Sequence, residues 1–82
     1  MGYRTVETTK TNNVYADIVF RFSTLEEAKN RLWYFMWNSS ANEDVQYAAC
    51  TILDDMNAVY KSEVYEKPIV LTEVPTPTPE TE

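Results

Sequence analysis

The chain predicts an α+β domain in the order ββααβ: a β-hairpin, two helices packed on one face of the sheet, and a short C-terminal strand. Three observations carry this expectation. The chain alternates from Val14 to Phe22, a helix-capping signature stands at Ser23-Thr24-Leu25-Glu26-Glu27, and an apolar repeat of three and four runs from Val45 to Tyr60. The 82 residues are enough for one domain. A chain of this size buries only about 60% of the surface its unfolded form exposes, so its core is thin. A composition that is 44% hydrophobic and 13% aromatic, with one glycine, is too apolar for a disordered chain.

In the first predicted element, Tyr3 to Thr9 is rich in β-branched and aromatic residues. In the second, Val14, Ala16, Ile18, Phe20 and Phe22 point one way while Tyr15, Asp17, Val19 and Arg21 point the other. Lys10-Thr11-Asn12-Asn13 between them tolerates left-handed backbone and predicts a hairpin whose loop is longer than the ideal two residues. A helix then starts at Ser23 or Thr24, with a glutamate placed to close the reciprocal capping box. Its wheel puts Leu25, Ala28, Leu32, Phe35 and Met36 on one face and Trp33 and Trp37 at its flanks.

Asn38 to Asn42 breaks that pattern with short polar residues, and Ser40 or Asn42 offers a second cap ahead of Glu43 and Asp44. The second helix is expected to bury Val45, Ala48, Ala49, Ile52, Leu53, Met56, Val59 and Tyr60. The stretch Glu63 to Lys67 fits either the end of that helix or the start of a strand. Pro68 blocks helix continuation, and Ile69 to Val74 has strand composition. The predicted domain therefore spans residues 1–74. Residues 75–82, alternating proline and threonine before a Glu-Thr-Glu end, are expected to form a disordered tail.

Composition also narrows the function classes. Thirteen acidic against seven basic residues give a net charge of −6, which repels phosphate backbones and argues against direct nucleic-acid binding. No stretch approaches the ~20 apolar residues of a membrane span, and no secretory leader is read at the start, so a cytoplasmic location is expected. The single cysteine, Cys50, has no intrachain disulfide partner, and the chain has no histidine with which to build a Cys/His metal site or activate the thiol. Gly2 is the only glycine, which excludes a glycine-rich phosphate loop. No cofactor, metal or catalytic residue is expected, and the chain is read as non-enzymatic.

Two features suggest a binding surface. Trp33-Tyr34-Phe35-Met36-Trp37 wraps more than half of a helix, so some of these side chains must stay outside a thin core. Trp33, Tyr34 and Trp37, with Tyr47, are the aromatic candidates for partner binding. The acidic candidates are Asp54 and Asp55, read as solvated on the second helix and continuing a run from Glu43 and Asp44 to Glu63 and Glu66. Carboxylates spaced along a rigid element can imitate a phosphate track. The functional expectation is a protein-interaction module, a small acidic inhibitor or regulator. In general style it resembles those that phages and mobile elements direct at host nucleic-acid enzymes. Its rivals are a self-assembling homo-oligomer and a small-ligand binder with an aromatic pocket between subunits.

Overall fold

The computed structural model describes residues 2–68. The element order is β1 (Tyr3–Thr11), β2 (Val14–Phe22), α1 (Leu25–Ala41), β3 (Val45–Asp54) and β4 (Val59–Glu66). The strands form one sheet in the order β2-β1-β3-β4, with every neighbouring pair antiparallel. Helix α1 leaves the edge strand β2, crosses the sheet and delivers the chain to β3, beside β1.

The hairpin is tighter than its sequence suggests. Strand β1 continues through Lys10 and Thr11, leaving a two-residue turn in which Asn12 and Asn13 adopt φ of 52° and 65°. Positive φ at both central residues is the type I′ turn that matches strand twist, and asparagine tolerates it better than most residues. The β1–β2 register is unbroken from Tyr3↔Phe22 to Thr11↔Val14.

Helix α1 begins as its capping box predicts. Thr24 is the N-cap, its side chain accepts from the Glu27 N–H, and the Glu27 carboxylate accepts from the Thr24 N–H. Ala28, Leu32, Phe35 and Ser39 are buried. Ala28, Leu32 and Phe35 form one cluster with Val45, Ala48, Cys50 and Ile52 of β3, and Leu25, Met36, Tyr3, Phe22 and Tyr65 pack around it. The core is thus the helix laid over the two central strands.

The expected second helix does not exist, and the ββααβ class is corrected to ββαββ: four antiparallel strands and one helix among the described residues. Residues 45–54 form a central strand in which Ala48, Cys50, Ile52 and Asp54 face α1, and Tyr47, Ala49, Thr51 and Leu53 face the other way. A strand with both faces partly covered is apolar almost throughout, and such a run also satisfies a helical stripe by chance. Asn38 to Ala41, expected to be a loop, is the last turn of α1, where Ser40 Oγ donates to the Trp37 carbonyl. Asn42 ends the helix and accepts from the Asp44 N–H, turning the chain into β3. Met56, expected in a helical core, is exposed in the β3–β4 connection, and Glu63 to Glu66 belongs to β4. The strand expected over residues 69–74 and the tail over 75–82 lie outside the described residues.

Among the described residues, no helix is long and apolar enough to cross a membrane.

Candidate interaction surface

The six side chains expected to bind a partner are not brought together. Trp33 and Tyr34 flank opposite sides of α1. Trp33 leans toward β4, with the Lys61 ammonium 4.9 Å from its ring centroid, and Tyr34 lies toward β2 beside the Arg31 guanidinium at 5.6 Å. Trp37 is 67% exposed. Tyr47 is on the far side of the sheet, edge-on to Tyr15 with ring centroids 6.3 Å apart. There Lys10, Tyr15, Gln46, Tyr47, Glu66 and Lys67 line a shallow depression of about 530 Å³.

Asp54 holds a turn. Its Oδ1 accepts from the N–H groups of Met56 and Ala58, its Oδ2 accepts from the Tyr60 hydroxyl, and its residue surface is buried. The bond from Ala58, with those from Tyr60 and Met56, holds this carboxyl below its ordinary 3.8. Donating its proton to the Asp54 carboxylate pushes the Tyr60 hydroxyl above its ordinary value. Asp55 is exposed and accepts from the Gly2 N–H. Glu43 and Asp44 precede β3, Asp54 ends it and Asp55 follows it, so the strand separates the two pairs by about 30 Å at ~3.4 Å per residue. The acidic side chains therefore do not share one helix, and the track read from the sequence has no single rigid element beneath it.

Sequence reasoning missed a surface on β2, although it placed the strand itself correctly. Only Phe22 of this strand is even half-buried, while Val14, Tyr15, Ile18, Val19 and Phe20 are exposed. The facing of its side chains is as the alternation predicts, and the structure sets the register, with Phe20 opposite Thr5 and Ile18 opposite Glu7. One helix is simply too narrow to cover the fourth strand. Ile18 is 51% exposed and Phe20 39%.

Beside these two side chains lies an ion pair whose carboxylate is buried. Arg31 donates from Nε to Glu7 Oε2 at 2.6 Å and from Nη2 to Glu7 Oε1 at 2.9 Å, and Glu7 is 2% exposed. The guanidinium also lies over the Phe20 ring, 4.2 Å from its centroid. The bidentate bond to Glu7 raises the Arg31 pKa further. Cys50, opposite Glu7 on β3, is fully buried. Burial first, and then the Glu7 charge, push its thiol up to about 12, so it packs as a small apolar group.

The backbone of β2 completes the surface. A two-residue I′ turn closes on a pair that exchanges both hydrogen bonds, here Thr11 and Val14, so Ala16, Ile18, Phe20 and Phe22 also direct their N–H and C=O groups at β1. Tyr15, Asp17, Val19 and Arg21 consequently direct theirs outward, along a free edge. Apart from the charges of Asp17 and Arg21, this edge lacks the usual protections: nine residues in unbroken register, no proline and no bulge. The opposite edge, β4, carries Lys61, Glu63 and Glu66, and its pairing with β3 is irregular at Ile52/Leu53.

Among the described residues, no group of three or more Cys, Asp or Glu side chains is placed to hold a metal ion. Fold and surface together define a small antiparallel α+β domain with a helix on one face and an open, apolar edge strand. Comparison with protein-family models, with curated proteins and with solved structures finds no match.

Proposed function

We propose that this chain is a non-enzymatic protein-interaction module that takes up another polypeptide strand on its β2 edge. The observation that carries this reading is the outward row of N–H and C=O groups at Tyr15, Asp17, Val19 and Arg21, set between apolar side chains exposed on both faces of the strand. In strand addition the backbone bonds supply affinity, and the alternating side chains supply selectivity. The net charge of −6 favours a polypeptide partner over a nucleic acid. The aromatic surface of α1 is a separate place for contact, carried by the exposure of Tyr34 and Trp37.

Val19→Pro tests the edge selectively. It removes an N–H that points outward and leaves the bonds to β1 intact, a position where an edge strand tolerates proline. Tagged wild type, Val19→Pro and the Tyr34→Ala/Trp37→Ala double variant are incubated in extract of the native cell, and the retained polypeptides, untagged copies of this chain included, are quantified. The reading expects retention by wild type and by the helix variant, and loss with Val19→Pro. Loss only in the helix variant moves the contact to α1, and equal retention by all three overturns the edge reading.

A further inference from the structure

We infer that the strand added to β2 is the β2 strand of a second copy, paired antiparallel about a two-fold axis through Val19 so that Asp17 of each chain faces Arg21 of the other. This rests on the edge reading above and names its occupant and register.

Symmetry and hydrogen-bond parity restrict the choices. Two identical edges that pair antiparallel are related by an axis perpendicular to the sheet, which keeps both helices on the same side. Residues directly opposite must then lie on the same face and both direct their backbone groups outward, or both inward. Odd-numbered residues of β2 therefore oppose odd-numbered ones.

Charge decides among the registers that remain. An axis through Asp17 sets two carboxylates against each other, and one through Arg21 sets two guanidinium groups together; like charges directly opposite are destabilising. An axis through Ile18 leaves Asp17 against Val19 and Arg21 against Tyr15. An axis through Phe20 leaves Asp17 against Ser23 and Arg21 against Val19. Only the axis through Val19 pairs Asp17 with Arg21, and it does so twice.

Arg21 gives an independent reason. Within the chain it sits directly opposite Arg4. Arg4 is turned away, donating to the Asp54 carbonyl and the Asn57 side chain, and Arg21 makes no ion pair among the described residues. A carboxylate arriving from the second chain supplies the missing counter-charge.

The same register places Val19 against Val19 on the face away from the helices and Ile18 against Phe20 on the helix side, also twice. The half-exposed Ile18 and Phe20 then line the floor of a channel between two α1 helices, with each Arg31 guanidinium over a Phe20 ring at its side. The result is an eight-stranded sheet with β4 at both ends.

Sedimentation of the purified chain and site-directed crosslinking test the inference. Wild type is expected to show twice the chain mass. Asp17→Arg, which sets arginine against arginine at both pairs, is expected to sediment as monomer with wild-type circular dichroism, and Asp17→Arg/Arg21→Asp, which restores both pairs with the charges exchanged, as dimer. In Val19→Cys, residues exchanging both bonds lie about 5.5 Å apart at Cα, within disulfide range. A disulfide-linked dimer is expected under mild oxidation, while Tyr15→Cys is expected to give none. A monomeric wild type overturns the inference. So does a dimer indifferent to Asp17→Arg, or one that crosslinks through Tyr15→Cys in preference to Val19→Cys. A monomer that still captures a different polypeptide in extract, sensitive to Val19→Pro, refutes the self-pairing while leaving the edge reading in place. Failure of that capture as well refutes both.

Discussion

Asp54 shows how one carboxylate can be taken from surface chemistry into architecture. Its oxygens gather two N–H groups and a hydroxyl around the β3–β4 connection, and these bonds hold its folded pKa below the ordinary 3.8. A depressed carboxyl contributes stability above the unfolded value and loses that contribution as the pH falls from 3.8 through the lower folded value. Asp54→Asn is therefore expected to lower the thermal midpoint at neutral pH, and its deficit relative to wild type to shrink as the pH is taken below 3.8. The Glu7–Arg31 pair has a different sensitivity, since the carboxylate is buried and the arginine is half-exposed. Arg31→Met leaves an uncompensated buried charge and is expected to cost about 3 kcal/mol in urea unfolding, most of it regained when Glu7→Leu is added. Neither role was legible in the sequence, where Glu7 reads as a strand residue and Asp54 as half of an exposed pair, because each depends on partners brought in by folding.

Strand β3 is where pattern reading failed. Val45, Ala48, Ala49, Ile52 and Leu53 satisfy a helical stripe, and the alternation of Ala48, Cys50, Ile52 and Asp54 satisfies a strand, with no breaker to choose between them. Ala48 and Ala49 favour helix by local preference, but the fold uses the small Ala48 and Cys50 in the core against α1. Ala48→Leu is expected to cost about 1 to 3 kcal/mol by overpacking. Ile52→Ala, at a fully buried position, is expected to cost about 2 to 5 kcal/mol, read from the denaturant midpoint at unchanged slope. Helix α1 was legible for the opposite reason: Thr24, Glu27 and the buried face act within a few residues of one another, so a short window contains the whole signal.

At the scale of the molecule, one 17-residue helix covers a sheet four strands wide, and the strand left over is β2. Its exposure follows from the strand order. Pairing of β1 with β3 moves the N-terminal hairpin's second strand to the rim, while the helix follows the central pair. Self-pairing at that rim makes stability depend on concentration, since association favours the folded state by mass action. The thermal midpoint of wild type is expected to rise with protein concentration. That of Val19→Pro is expected to stay constant, as followed by circular dichroism over a hundredfold dilution series.

The sequence by itself determined the facing of β2, the start of α1, the face that α1 buries, and the net negative charge. Each is set by near neighbours or by composition. Only the tertiary structure decided that residues 45–54 are a strand, that β1 lies between β2 and β3, and that Ile18, Val19 and Phe20 remain outside the core. Those outcomes turn on pairing between residues up to about fifty positions apart, such as Tyr3 with Asp54. The cost of closing such a loop is repaid by burial on the partner strand, which no local window of the sequence contains.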